Sequence, residues 1–167
     1  MPLTSLREFL DNNNIKYQVI FHSKAYTAQE IANLAHIPGQ ELAKTVILTL
    51  DGHLAMAVLP ASAHVDVAAI RVIAGVENAR LASELEFKDR FPGCETGAMP
   101  PFGNLYDMAV FVDEELAKDK EIAFNAGSHT ELVRMAFHDF VHLVNPRVTR
   151  FSTRKVRAFD AGEDRLW

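Results

Sequence analysis

The dipeptide Asp51-Gly52 constrains the fold of this chain more than any other feature of the sequence. It separates two runs of mostly aliphatic residues, 45–50 and 53–59. Asp-Gly between two such runs is the strongest short-range signal of a β-hairpin, because both turn positions need a positive φ. The sequence therefore predicts two adjacent antiparallel strands in the first half of the chain.

Other patterns predict a mixture of strands and helices around this hairpin. A hydroxyl residue followed three positions later by glutamate is typical of a helix start, and it occurs at Ser5, Thr27 and Ser128. The helices predicted from these starts end near Asn12, at Pro38-Gly39 and near residue 143, and apolar spacing predicts two more. The further predicted helices are 65–74 and 79–91, and the further predicted strands are 17–21, 108–112 and 121–125. Without regular βαβ alternation, this order indicates an α+β fold with a largely antiparallel or mixed sheet.

Composition indicates one folded domain. The chain has 167 residues, of which 49% are hydrophobic and 23% charged, which is ordinary for a globular domain. No apolar run reaches the roughly 18 residues of a membrane span, and the N-terminus lacks a signal-peptide pattern. We therefore expect a soluble, cytoplasmic protein with no membrane association. With no internal repeat or linker, the domain is expected over 1–152, followed by a basic tail over 153–167.

The charge is negative overall but basic near the C-terminus. A net charge of −5 argues against a protein held to nucleic acid by bulk charge. The stretch 147–157 nevertheless carries five basic residues and no acidic one. This strip could contact a phosphate backbone, or it could be a solvated tail, and the sequence leaves both interpretations open.

The segment 92–105 has an unusual composition. Six of the 15 glycines and prolines of the chain lie in these 14 residues. Because proline restricts φ and glycine permits positive φ, such a loop holds a shape without a hydrogen-bonded ladder, and ligands are often bound by loops of this kind. The alternative is an ordinary connection between a helix and a strand.

Two further positions could bind an anion. Lys44 precedes an apolar strand, where its ammonium could meet a phosphate or carboxylate, although a surface lysine whose stem packs on the sheet is the simpler interpretation. His129 lies in the predicted first turn of the helix that starts at Ser128. Helix N-termini attract anions and polarised carbonyls, but this segment could also be no more than a good helix cap.

Two other kinds of chemistry are not favoured. His138 and His142 are one helical turn apart, but on a helix they fall on one polar stripe with Glu131 and Arg134, and no third ligand follows. We expect the exposed face of a helix and no metal. Cys94 is the only cysteine, so no internal disulfide can form, and no base is placed to make it a nucleophile.

Three segments together resemble a known family. They are Ala-Lys-Thr-Val-Ile-Leu at 43–48, Gly-Ala-Met-Pro-Pro-Phe-Gly at 97–103, and Phe-Asn-Ala-Gly-Ser-His-Thr-Glu-Leu at 124–132. In order and spacing they resemble the YbaK/prolyl-tRNA-synthetase-associated editing domain family, and the resemblance covers about residues 1–152. It implies a mixed, partly barrel-like sheet surrounded by helices.

The resemblance also implies an activity and a site. Family members hydrolyse the ester of a mischarged aminoacyl-tRNA, without a metal, another cofactor or a covalent nucleophile, and the substrate 2′-hydroxyl helps to activate water. The implied partners are the aminoacylated acceptor end of a tRNA and an aminoacyl-tRNA synthetase. Lys44 and His129 are the implied catalytic residues. The implied substrate-binding residues are Thr45, Gly97, Ala98, Met99, Pro100, Pro101, Phe102, Gly103, Asn125, Gly127 and Ser128.

The resemblance leaves the amino acid open. Thr45 stands where the branch of the family that clears alanine carries asparagine, so alanine, serine, threonine, cysteine and other amino acids remain candidates. Two other classes of function compete with a trans-editing deacylase. One is a non-catalytic relative that binds a tRNA or a synthetase, and the other is a metal-dependent hydrolase that uses His138 and His142.

Overall fold

The computed structural model describes residues 4–24, 30, 37 and 41–153. The helix predicted from Thr27 to Pro38-Gly39 and the tail beyond Thr153 lie outside the described residues, apart from Glu30 and Ile37. The helices of the described part are α1 (Thr4–Asn12), α2 (Val67–Ala74), α3 (Glu84–Phe87) and α4 (Phe137–Val144). None of them is long and apolar enough to cross a membrane.

The strands form two larger sheets and one short pair. The five-stranded sheet has the order β5-β2-β3-β6-β9, the three-stranded sheet has the order β1-β8-β7, and β4 pairs with β10. The strands are β1 (Tyr17–Phe21), β2 (Ala43–Leu50), β3 (His53–Pro60), β4 (His64–Val65), β5 (Ala79–Leu81), β6 (Ala109–Asp113), β7 (Glu121–Asn125), β8 (Glu131–Ala136), β9 (Arg147–Thr149) and β10 (Ser152–Thr153).

The predicted fold class is confirmed. The hairpin β2–β3 turns at Asp51-Gly52, both with positive φ, and pairs antiparallel along its whole length. In contrast, β3 pairs parallel with β6, and β6 with β9, so the five-stranded sheet is mixed. An isolated parallel bridge between Leu42 and Ala123 joins the two sheets, and Ala123 N–H donates to Glu41 O over 2.9 Å. The two sheets therefore curve around one core in a partly barrel-like arrangement.

The main core lies between the two sheets and is closed by helices. It takes residues from β2, β3 and β6 of one sheet and from β7 and β8 of the other. Leu6 and Leu10 of α1 and Phe140 of α4 are fully buried against it. A second apolar cluster lies on the opposite face of the five-stranded sheet, where Ile70 of α2 packs. The alternation of side chains along each strand thus separates two apolar layers.

The helix predicted from Ser128 to near residue 143 is wrong over most of its length. Residues 131–136 form strand β8, and the helix begins only at Phe137. β8 lies between β1 and β7 and pairs with both, so its backbone groups complete the three-stranded sheet. Since that sheet is buried on both faces at Leu132 and Val133, the apolar pattern resembled a helix. Consequently Ser128 is not a helix cap, and Glu131 and Arg134 share no helical stripe with His138 and His142.

The predicted helix over 79–91 is also wrong in part. Residues Ala79–Leu81 form β5, which pairs with the free edge of β2, and the helix is limited to Glu84–Phe87. The backbone groups of β2 needed a partner on that side, and this requirement overrides local helix propensity. The predicted helix over 65–74 is confirmed from Val67 onward: the Asp66 carboxylate accepts the N–H of Ala69, and Gly75 ends the helix in the left-handed conformation.

Candidate active site

The two sheets meet where β2 runs alongside β7. The isolated Leu42–Ala123 bridge lies two residues before Lys44 on one strand and two residues before Asn125 on the other. Both are nearly inaccessible to solvent, with 4% of Lys44 and 5% of Asn125 exposed. A lysine and a carboxamide are rarely buried to this degree without a polar role, because each loses hydration that must be replaced.

Lys44 and Asn125 each lie on the same face of their strand as one residue of the Leu42–Ala123 bridge. Side chains alternate along a strand, so Lys44 lies on the same face as Leu42, and Asn125 lies on the same face as Ala123. Leu42 and Ala123 belong to a small apolar cluster with Ile37, Ala61 and Leu132. The two polar side chains therefore border an apolar patch at the seam between the sheets.

The glycine-proline loop, residues 92–105, is hydrogen-bonded to the turn that follows Asn125. Gly127 N–H donates to Ala98 O over 2.8 Å, and Gly127 O accepts the N–H of Glu95 over 2.8 Å. Gly127 has a φ of 98°, a conformation that residues with a side chain rarely adopt. Two backbone bonds at one residue thus bring the predicted loop beside the end of β7.

His129 holds the same loop from the other side. Its Nε2 lies 2.7 Å from Thr96 O. A carbonyl oxygen only accepts, so Nε2 carries the proton and donates it. The Glu95 carboxylate is 3.9 Å from the same nitrogen, and 5% of His129 is exposed. His129 lies in the turn between β7 and β8, not in the first turn of a helix as predicted.

Some of the remaining predicted site residues lie where the two sheets meet, and others lie in the core. Ala98 is fully buried in the pinned loop, and Ser128 Oγ lies 3.2 Å from Thr130 Oγ1 in the turn. Gly97 has a positive φ of 86°, and its N–H donates to Met99 Sδ over 3.3 Å. Pro100 and Pro101 are buried as the loop leaves the seam.

Three of the predicted binding residues do not face Lys44. Thr45 follows Lys44 on β2 and so points to the opposite face, where its register partner Val58 belongs to the main core. Phe102 is fully buried, and its ring centroid lies 5.5 Å from that of Phe124. Gly103 is needed because a Cβ there would overlap Met108 O and lie 2.5 Å from Val110 Cγ2.

Two features of the site were not predicted from the sequence: the groups that His129 contacts, and the position of Glu131 on a strand. Thr96 O and the Glu95 carboxylate lie next to its Nε2, although neither residue was singled out. Glu131 was assigned to a helix cap, but it is 96% buried on β8 (4% exposed). Residues 131–136 do not alternate between polar and apolar, so the sequence offered no local signal for this strand.

The surroundings of Cys94 do not increase the nucleophilicity of its thiol, as the sequence also indicated. Burial raises the pKa of its thiol, and its Sγ lies 3.7 Å from Tyr106 Oη. The thiol is therefore protonated at neutral pH and is a weak nucleophile. It lines a small pocket together with Thr96 and Met99.

Comparison with known proteins assigns the chain to a family. A profile of the aminoacyl-tRNA editing domain matches residues 22–143, and the chain belongs to that family. It is similar to the Escherichia coli (strain K12) Multifunctional Ser/Thr-tRNA deacylase ProXp-y, with 25% identity over 147 residues that cover 85% of this chain and 87% of the relative.

Solved structures share the fold. The hypothetical protein APE2540 superposes with a TM-score of 0.80 at 21% identity, over 89% of this chain and 99% of that one. A candidate trans-editing enzyme for prolyl-tRNA synthetase superposes with a TM-score of 0.76 at 17% identity, over 89% of this chain and 94% of that one.

Proposed function

We propose that this protein is a free-standing deacylase that hydrolyses the ester of mischarged aminoacyl-tRNA in the cytoplasm. The observation that carries the proposal is the burial of Lys44 and Asn125 on the two strands that the Leu42–Ala123 bridge joins, together with the bonding of the glycine-proline loop to the turn after Asn125. Membership of the editing-domain family and similarity to a Ser/Thr-tRNA deacylase support this assignment. The aminoacylated acceptor end of a tRNA is the proposed partner, and an aminoacyl-tRNA synthetase is a second one.

In the proposed reaction the main contribution of the protein is to position the aminoacyl ester. An aminoacyl ester is activated compared with an amide, so orientation and charge stabilisation can supply much of the rate. Lys44 attracts the terminal phosphate of the tRNA, and the loop around Gly97 and Ala98 encloses the aminoacyl group. The ribose 2′-hydroxyl helps a water molecule attack the ester carbon, after which the 3′-oxygen leaves with a proton and the free amino acid departs.

Replacing Lys44 by alanine tests this function. If the ammonium binds a phosphate, Lys44→Ala removes a charge-assisted contact of about 1.5–3 kcal/mol, so deacylation falls at least about tenfold. The measurement is single-turnover hydrolysis of alanyl-, seryl-, threonyl- and cysteinyl-tRNA, with circular dichroism to verify folding. Lys16→Ala is the matched control, because Lys16 is exposed beside β1.

Two outcomes would contradict the proposal. A folded Lys44→Ala variant with wild-type rates would exclude the phosphate-binding role. A wild-type protein that binds tRNA or a synthetase but hydrolyses none of the four esters would instead be a non-catalytic relative of the family.

A further inference from the structure

Two buried nitrogen and oxygen atoms at one end of the three-stranded sheet lack hydrogen-bond partners. They are Asn125 Oδ1, at the end of β7, and Nε2 of His22, the residue that follows β1. Neither atom has a partner within residues 4–24, 30, 37 and 41–153. A buried polar atom left unpaired costs free energy, so a ligand that completes the hydrogen bond gains affinity.

The His22 ring presents a lone pair at its buried nitrogen. Its Nδ1 lies 2.8 Å from Ser23 O, and a carbonyl oxygen only accepts, so Nδ1 carries the proton. In the neutral imidazole the other nitrogen is then an acceptor. Asn125 Oδ1 is an acceptor as well, so both atoms need a donor.

Backbone pairing places the two residues on one face of the sheet. Leu132 of β8 is the register partner of Ile20 on β1 and of Asn125 on β7, so these three side chains share a face. The N–H of His22 donates to Thr130 O over 2.9 Å, which extends the β1–β8 ladder by one pair. His22 therefore follows Ile20 on the same face.

The side chains around the two acceptors do not supply the donors. Ile20 and Leu132 belong to the apolar cluster on this face and have no polar atoms in their side chains. The hydroxyls of Ser128 and Thr130 lie 3.2 Å apart and are bonded to each other. A ligand or a buried water molecule must therefore provide the donors.

The presence of two acceptors restricts the chemistry of the ligand. A hydroxyl group donates one hydrogen bond, whereas an amino group donates two or three. The proposed substrate carries amino groups at two places, the α-ammonium of the amino acid and the 6-amino group of the terminal adenine. Both belong to the end of the tRNA that a deacylase has to bind.

We infer that His22 and Asn125 bind an amino group of the substrate, each accepting one of its N–H bonds. The inference rests on the proposed deacylase function and adds to the site His22, which was not identified from the sequence. A substrate without this amino group leaves both acceptors unpaired, so the site discriminates against it.

Removing either acceptor is the first test. We expect His22→Leu and Asn125→Leu each to lower single-turnover hydrolysis of the ester that the wild type hydrolyses fastest by about tenfold. His22→Gln and Asn125→Asp retain an acceptor oxygen and should stay within about threefold of the wild type, which also covers a folding failure of the leucine variants. The matched control is Gln18→Leu, a polar-to-leucine change at an exposed position of β1.

Substrates that lack one amino group are the second test, and they distinguish the two sources. The deamino ester lacks the α-amine, and a tRNA that ends in purine riboside lacks the 6-amino group. On one of these substrates we expect the loss in the leucine variants to shrink from about tenfold to less than about threefold, because the deleted hydrogen bond cannot form there. Comparing variant and wild type on the same substrate removes the effect of the α-amine on the reactivity of the ester.

The outcomes separate this inference from the proposed function. Wild-type rates in folded His22→Leu and Asn125→Leu variants would overturn the inference while the deacylase function stands. An equal loss on all three substrates would also overturn it, because the acceptors would then bind a structural water molecule or another group. A wild-type protein inactive on alanyl-, seryl-, threonyl- and cysteinyl-tRNA would refute the deacylase function itself.

Discussion

His129 donates a hydrogen bond to a carbonyl group in the loop of the candidate site. Its Nε2 donates to Thr96 O over 2.7 Å, in the loop whose backbone is also bonded to Gly127. With the proton on Nε2, only Nδ1 could take a proton from water, and Nδ1 is buried. The geometry therefore favours a positioning role, in which the imidazole keeps the loop against the end of β7.

Replacing His129 separates positioning from proton transfer. We expect His129→Ala to lower kcat about tenfold with a small change in KM, because the loop loses one buried hydrogen bond. His129→Gln, whose amide N–H can donate in the same direction, should recover activity to within about threefold of the wild type. The measurements are steady-state kinetics and a pH–rate profile for each variant.

A general base would give the opposite pattern. In that case the glutamine variant would be as inactive as the alanine variant, which would contradict the positioning role.

Among the secondary-structure elements, the β2–β3 hairpin and α1 were predicted correctly, whereas β5 and β8 were predicted as helix. The hairpin follows from Asp51-Gly52, and α1 follows from the apolar spacing of Leu6, Phe9 and Leu10, although it begins at Thr4 and so includes the predicted cap Ser5. β5 and β8 are strands because β2, β1 and β7 need partners for their backbone groups. That requirement is created by the tertiary fold, so helical periodicity was misleading at both places.

The connection from β6 to β10 depends on a single buried carboxylate. Asp113 is fully buried, and its Oδ1 accepts the N–H groups of Phe151 and Ser152, each over 3.0 Å. Its Oδ2 accepts the N–H of Glu115 over 3.0 Å. Three backbone donors thus stabilise the negative charge and hold β10 next to the end of β6.

Asp113→Asn tests how much this connection contributes to stability. The amide can still accept two of the bonds, but its NH₂ group would face the Glu115 N–H, which is also a donor. We expect a loss of about 2–3 kcal/mol in the free energy of unfolding, measured by urea denaturation. The matched control is Asp107→Asn, at an exposed position with a φ of 57° that asparagine tolerates well. Equal midpoints for the two variants would show that the buried charge is unimportant.

On the scale of the whole molecule, the candidate site exists only because two sheets meet. Lys44 and Asn125 belong to different sheets and are distant in the sequence, and the Leu42–Ala123 bridge joins their two strands. Sequence reasoning identified each residue separately and grouped them by resemblance to a family. It also placed Thr45 and Phe102 in the site, because a motif does not reveal which side of a strand or loop faces the ligand.

The charge distribution predicts which surface would contact the part of a tRNA that lies beyond the candidate site. The molecule carries a net charge of −5, which repels nucleic acid at long range. Arg147 of the edge strand β9 and the following Arg150 are both exposed, and the sequence continues with Arg154, Lys155 and Arg157. Any attraction for the phosphate backbone is therefore expected from this local strip.

Neutralising the strip tests whether it binds tRNA. In a variant with Arg154, Lys155 and Arg157 all replaced by alanine, we expect a raised KM, an unchanged kcat and a weaker dependence of affinity on salt. Each phosphate contact that is lost should reduce the slope of log affinity against log salt by about 0.7–0.9, because fewer counterions are released on binding. The control replaces Asp160, Glu163 and Asp164 by alanine, which removes three charges of the opposite sign from the same tail. Identical salt slopes for the wild type and the basic-strip variant would mean that the tail is solvated in the complex and that tRNA is held by the site at the seam alone.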